Sequence, residues 1–490
     1  MPVTLSFHAD PGELDDVDTL LVIGRKERLL AADVRARLPK SLAEGAWEAM
    51  VAAEARDQPR SAASFTGGRP RRVVAGVLPE ACSRHNPPSR AWALPTLVRA
   101  AGKTGPTGIL LALDTKAHAF ASACGLAPAL PSWTATSRPG ERSVRVAFLA
   151  PDGDIADVEA LGVATEATQR AASWVDMPAD RLNTRALVKA ARDIAREVGA
   201  SCHVIEGEAL QEQGLGGLHA VGRAAAEPPA LVVLDHEPDH ATRSKATRSK
   251  ATRSVAWVGK GIVYDTGGLS MKTRTSMVGM KKDMGGAAAV LAAFEAAVRL
   301  GCRQRLTAIL CLAENAVGPN ALRPDDVITL LSGKTVEINN TDAEGRLVLG
   351  DGVAWAARHR APDDLIDLAT LTGAQAVATG KRHAALYTND EGFEAEAIAA
   401  GRASGNPVHP LPYLPELLKS EFASTVADMR NSVKNRANAQ SSCAGQFIGN
   451  HLEGYEGRWL HVDMAGPAAD RDRGTGYGVA LLLTLAGVGG

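Results

Sequence analysis

Three short stretches between Gly259 and Asp351 hold the residues best able to do chemistry. The first reads Gly259-Lys260-Gly-Ile-Val-Tyr-Asp265-Thr-Gly-Gly-Leu-Ser-Met-Lys272, and the second Met280-Lys-Lys-Asp283-Met-Gly-Gly286. The third reads Glu337-Ile-Asn-Asn-Thr-Asp342-Ala-Glu344-Gly-Arg346-Leu-Val-Leu-Gly-Asp351. Four carboxylates brought into one pocket, Asp265, Asp283, Asp342 and Glu344, would repel one another and resist desolvation. One divalent cation, or two, would offset that cost, and oxygen ligands suit Mg, Mn or Zn. Two metals about 3.5–4 Å apart need bridging carboxylates. A nearby lysine could be a neutral nitrogen ligand if burial and the metals depress its pKa. Spacing alone does not decide the matter, because an Asp-x-Glu on a loop is more often solvated or a helix cap.

These residues need elements that carry them to one place. Each stretch reads as a strand running into a loop. The apolar run 255–258 meets Gly259 and Gly261, Asp265 precedes Thr266 and two glycines, and 336–338 runs into Asn339. In an α/β sheet, ligands bind outside the carboxyl ends of strands, so three such acidic ends can converge. The rest of the chain fits that class. Short apolar runs at 20–24, 72–77, 108–113 and 144–149 predict buried strands, and 41–55 and 90–101 predict helices. The polar stretch 134–142 reads as a surface loop. A long helix is expected over 155–175, broken by Asp176-Met-Pro178. Beyond it, 187–198 reads as a helix, and 230–234 and 254–258 as strands. The expectation is an α/β protein of two domains. A smaller N-terminal domain, 1–170, would serve assembly and access. A larger C-terminal domain, 171–490, would hold the whole site on a central mixed sheet flanked by helices.

At this point the motifs identify a resemblance. Asn340-Thr-Asp342-Ala-Glu344-Gly-Arg346-Leu resembles the signature octapeptide of the leucine aminopeptidase (cytosol aminopeptidase) family over all eight residues. The Gly259–Gly268 stretch and Lys281-Lys-Asp283-Met-Gly-Gly are similar to the family's other metal-binding segments. Asp367-Leu-Ala-Thr-Leu-Thr-Gly-Ala374 and Trp459-Leu-His-Val-Asp-Met-Ala465-Gly466 also resemble family segments, so the likeness covers roughly 175–487. Val263-Tyr-Asp-Thr-Gly-Gly and Ser441-Ser-Cys-Ala-Gly445 are most similar to the family's "probable aminopeptidase-like" branch.

The resemblance implies a two-metal aminopeptidase that removes N-terminal residues, leucine or another apolar one, from peptides. It implies one zinc or manganese ion on Asp265, Asp342 and Glu344, and a second on Lys260, Asp265, Asp283 and Glu344. It gives Lys272 the role of stabilising the oxyanion, and Arg346 that of holding a bicarbonate as general base. By the same resemblance Met280, Thr370, Gly373 and Ala465 would line the pocket for the first side chain, although Met280 is equally at home as core packing. A homo-hexamer with enclosed active sites is a further implication. Thr273, where many members have proline, and Tyr264 and Thr266, in place of the commoner Phe and Ser, depart from the pattern without removing a ligand. A dipeptidase or amidase on the same site, or a non-catalytic scaffold or nucleic-acid binder, would be the rival readings.

Composition narrows the classes. The formal net charge is −1 over 490 residues, so no global field favours nucleic acid or an anionic membrane. The six cysteines are scattered with no C-x-x-C, which fits a reducing compartment such as the cytoplasm. No secretory leader is visible at the N-terminus. The run 479–488 is too short to span a bilayer and reads as a buried terminal helix. A basic repeat, Ala241-Thr-Arg-Ser-Lys245 followed by 246–250 and part of 251–254, reads as a tolerated surface insertion. Ser332-Gly-Lys-Thr335 lacks the earlier glycine of a phosphate loop, because Ile328 stands there. Neither H-E-x-x-H nor G-x-S-x-G occurs. Cys443 reads as a small buried residue rather than a nucleophile served by His383 or His461.

Overall fold

The structure is a computed structural model that describes residues 3–52, 55–102, 105–137, 140, 142–238 and 253–489. The basic repeat up to residue 252 lies outside the described residues. Two compact units divide the chain. One comprises Met1–Ser173, Ala399–Pro407 and Gly489–Gly490, and the other Trp174–Ile398 and Val408–Val488.

The first unit is built on six strands: β1 (Val3–His8), β2 (Thr19–Gly24), β3 (Arg60–Phe65), β4 (Arg72–Val77), β5 (Thr107–Ala112) and β6 (Arg142–Leu149). They lie in the order β1-β6-β5-β2-β4-β3. All pairs are parallel except β3 with β4. β2 and β5 are buried at every residue, which explains their unbroken apolar reading. One core cluster joins Leu20, Val22, Val73, Ala75 and Leu110 to Trp47 and Met50. The helix expected over 41–55 is shorter, Ala46–Ala52, and follows Gly45 at φ 72°. The loop expected over 134–142 ends inside β6, where the buried Arg142 donates to Thr107 Oγ1 at 3.1 Å.

The second unit adds β7 (Ser201–Glu206), β8 (Ala230–His236), β9 (Ser254–Asp265), β10 (Arg305–Asn315), β11 (Val327–Thr329), β12 (Thr335–Glu337), β13 (Asp364–Ala369), β14 (Ala384–Thr388), β15 (Val408–Pro410), β16 (Met429–Arg430) and β17 (Arg458–Asp463). Eight of them form a mixed sheet in the order β15-β14-β17-β13-β9-β10-β8-β7, and β11-β12-β16 form a small separate one. Helices flank the large sheet. Thr184–Val198, Gly285–Arg299 and Val479–Leu485 pack as one group, and Gly216–Gly222, Gly345–His359 and Gln440–Gly449 as another. Asn183 caps the 184–198 helix by accepting from Ala186 N, and Gly199 closes it in the left-handed region.

One expectation is overturned here. β9 does not end at Gly259 but runs on to Asp265, so Lys260 sits inside the strand. A Cβ at Gly259 would lie 2.6 Å from Ala287 Cα, and one at Gly261 3.1 Å from Ala287 Cβ. These glycines mark the close approach of the Gly285–Arg299 helix, not a strand end. β9 pairs in parallel with β10 on one side and β13 on the other. Its register against β10 shifts near the end. Ile262 faces Ala313 and Asp265 faces Asn315, so β9 holds one residue more than β10 over that step. Among the described residues no helix is long and apolar enough to cross a membrane.

Candidate active site

Asp265 ends β9 and is 2% exposed. The turn after it needs Gly267 at φ 84° and Gly268 at φ 62°. The loop folds back so that Lys272 N donates to Thr266 O at 2.9 Å. Lys272 Nζ then lies 2.7 Å from Asp265 Oδ2 and 2.5 Å from Asp342 Oδ1. The Asp342 loop is held from outside by Asn431, whose Nδ2 donates to Asn340 O at 2.7 Å and whose Oδ1 accepts from Asn339 N at 3.0 Å. Thr341 ties it to the Lys272 loop: its Oγ1 donates to Gly267 O and accepts from Ser270 N, both at 2.7 Å. Glu344 follows at the start of the Gly345–His359 helix.

On the other side, Lys260 Nζ reaches Asp283 Oδ1 at 2.8 Å, Glu344 Oε1 at 3.0 Å and the Thr370 carbonyl at 3.0 Å. Ligand atoms of Asp265, Asp342 and Glu344 all lie within 4.8 Å of one another. Thus Lys260, Asp265, Asp283, Asp342, Glu344 and Lys272 come together. Arg346 is buried in the first turn of the same helix, where Nη1 donates to Asn431 O at 3.1 Å and Nε has no hydrogen-bond partner. Burial lowers its pKa to about 10.

The electrostatics are those of crowded charge. Burial first, then the neighbouring carboxylates, raises the pKa values of Glu344 and Asp283. Burial also raises that of Asp342, against the pull of Lys272. Without metals, the protein's own charges do not depress the pKa of Lys260. Burial lowers it, but Asp283, Glu344 and Asp265 outweigh burial and raise it, so the group is an ammonium among them. Four carboxyl groups crowd two ammoniums in a largely buried site, and the raised pKa values show that the protein's own groups do not fully offset the cost of ionising all four. Glu344 Oε2 and Asp283 Oδ2 are buried without a hydrogen-bond partner. Orphaned carboxyl oxygens in a desolvated, acidic cluster are the donor set a hard divalent cation takes.

The remaining predicted residues lie close by. Met280 opens the single turn Met280–Lys282 that delivers Asp283. Thr370 follows β13 and donates from Oγ1 to Asp283 Oδ1 at 2.8 Å. Gly373 begins the helix Gly373–Ala378 with open space where a Cβ would stand. Ala465 follows β17. Its neighbour Asp463, which sequence reasoning missed, accepts from Ala465 N at 3.2 Å, Leu371 N at 3.1 Å and Thr372 Oγ1 at 2.7 Å. It therefore ties two of the segments together. The signal for it was present, because an aspartate ends the apolar strand β17 much as Asp265 ends β9. Cys443 is wholly buried, in line with its reading as a core residue.

Comparison with known proteins places this geometry. The catalytic domain of the cytosol aminopeptidase family matches residues 169–483, and an M17 aminopeptidase N-terminal domain matches 18–138. The chain is 45% identical over 500 residues to the mouse protein described as probable aminopeptidase NPEPL1, covering 99% of this chain and 93% of that one. It is also similar to the solved leucyl aminopeptidase of Trypanosoma cruzi, with a TM-score of 0.89 and 40% identity over 98% of this chain and 96% of that one. A further likeness is to the bottromycin maturation enzyme BotP in complex with Mn, with a TM-score of 0.77 and 31% identity over 96% of this chain and 98% of that one. The chain belongs to the cytosol aminopeptidase family, the M17 peptidases, and is an aminopeptidase of that class.

Proposed function

We propose that this protein removes apolar N-terminal residues, leucine foremost, from peptides in a reaction that depends on two divalent metal ions, zinc or manganese. The observation that carries the reading is the cluster of Lys260, Asp265, Asp283, Asp342 and Glu344, with its crowded buried carboxyl groups and its two orphaned oxygens. Asp265, Asp342 and Glu344 would hold one ion, and Asp265, Asp283 and Glu344 the other, joined by Lys260 once its ammonium gives up a proton to become a neutral amine. The likeness to BotP, solved with Mn, supports a divalent ion.

When bound, such ions polarise a carbonyl and lower the pKa of water. The chain's own groups do the rest. The Lys272 ammonium, kept charged by Asp265 and Asp342 against the effect of burial, stabilises the oxyanion that develops on the scissile carbonyl. Arg346, buried with one unpartnered nitrogen, provides the cationic hold for a bicarbonate base. Met280, Thr370, Gly373 and Ala465 line the pocket for the first side chain, and the open space at Gly373 gives it room. We read the chain as a cytoplasmic homo-hexamer in which the N-terminal unit serves assembly.

The test is hydrolysis of leucine p-nitroanilide by chelator-stripped protein, with Mn²⁺ or Zn²⁺ restored and Glu344→Ala as control. Activity that returns with metal in the parent alone supports the reading. Absence of turnover on leucine and other amino-acid amides, with metal bound, overturns it in favour of a dipeptidase or a non-catalytic role.

A further inference from the structure

We propose that Asn315 is a positioning residue for the metal centre, fixing the Asp265 carboxylate and tying it to the Asp342 loop. Asn315 closes β10 at the register position facing Asp265, just past the extra residue of β9, and is 3% exposed. Its Nδ2 donates to Asp265 Oδ1 at 2.9 Å and to the Thr341 carbonyl at 3.1 Å. Both partners are acceptors only, so chemistry alone sets the orientation of the amide. Both amide hydrogens are thereby used, one on each of two ligand-bearing segments.

The residue is itself pinned. Its backbone carbonyl accepts from Thr266 Oγ1 at 2.6 Å and from Thr266 N at 3.1 Å. Its Oδ1 stands 3.0 Å from where a Cβ on Gly268 would be. Gly267 N supplies the second hydrogen bond to Asp265 Oδ1, at 2.8 Å. Two donors on Oδ1 fix the plane of the carboxylate, and Oδ2 is turned toward Lys272 Nζ at 2.7 Å, on the side of the cluster. No other residue type of this size does the same. Aspartate cannot donate and would set a second negative charge beside the first, and leucine fills the space without a donor.

Such outer hydrogen bonds orient ligating carboxylates, and losing one weakens metal binding about 10–100-fold. The inference rests on the metal reading above, and calorimetry separates the two. Chelator-stripped parent, Asn315→Ala and Asn315→Leu are titrated with Mn²⁺, and the melting temperature of each metal-free protein is recorded. The expected result is Mn²⁺ affinity lower by about 10–100-fold in both variants, with the metal-free melting temperature little changed. Folded variants that bind within about threefold of the parent overturn the positioning role and leave the metal reading intact. A parent that binds no Mn²⁺ overturns both. If the leucine variant does not fold, the alanine variant is read alone, and failure of both to fold makes Asn315 structural and overturns the proposal.

Discussion

Lys260 Nζ lies 3.0 Å from Glu344 Oε1, and both residues are 2% exposed. The contact depends on the next residue having no side chain. A Cβ at Gly345 would come within 2.5 Å of Lys260 Cε and 2.7 Å of Nζ. A lysine tip can usually move aside, but this one is fixed by Asp283, Glu344 and the Thr370 carbonyl. Gly345→Ala should therefore displace it, lowering kcat/KM for leucine p-nitroanilide by about 10-fold or more, as misplacement of about 1 Å can do. Metal content by mass spectrometry should fall in parallel, because Lys260 and Glu344 move together.

The two roles assigned around Asp265 separate by what survives. Glu344→Ala or Asp265→Ala should lose both metal and turnover. Lys272→Ala should keep its metal and lose about 10²–10³-fold in kcat, as when one oxyanion donor is removed. Metal content and kcat measured on the same preparations check this. Full activity in Lys272→Ala would remove it from the mechanism.

His451 gives a stability that depends on pH. It is buried, Ser332 Oγ lies 2.7 Å from its Nδ1, and burial together with Lys334 pushes its pKa down to about 3. The unfolded chain takes up this proton near pH 6.5, and the folded one does not. The contribution is thus fully present above about pH 6.5 and is lost as pH falls toward 3, with a slope of at most about 1.4 kcal/mol per unit. Urea unfolding between pH 7 and 5 should show a shallower loss in His451→Gln than in the parent. Parallel curves would contradict the buried neutral imidazole.

The motif glycine Gly286 is a packing residue. A Cβ there would collide with the Leu368 carbonyl oxygen and stand 2.9 Å from Lys260 N. Both obstacles are backbone in the centre of the sheet, so neither can rotate away. Gly286→Ala should destabilise the metal-free protein by about 3 kcal/mol or more, read from its denaturation midpoint. Gly373→Ala, with open space before it, should leave stability nearly unchanged and act on substrate preference.

Much of this was legible in the order of residues, for definite reasons. The runs at 72–77 and 230–234 are strands because their apolar, β-branched residues are buried on both faces. The meeting of Asp265, Asp342 and Glu344 follows from acidic residues at the ends of neighbouring elements. What escaped was whatever depends on a partner far along the chain. Gly259 reads as a strand end until Ala287 is seen against it. Asn315 carries no local sign of the segments it joins, and Asp463, though marked by its place at the end of an apolar strand, gives no sign of its partners Leu371 and Thr372. The charge state of Lys260 depends on three carboxylates, and no single stretch contains them all.

Lys260 and Asp265 stand five positions apart, an odd step that in a regular strand would turn the two side chains to opposite faces. The extra residue that β9 holds between Ile262 and Asp265 makes the parity even again. The site is in this sense a matter of counting. Were all five steps to pair regularly with β10, with no extra residue, Asp265 would turn to the face opposite Lys260. The placing of these two side chains on one face therefore belongs to an irregularity of the ladder, a property of the backbone pairing and not of either residue.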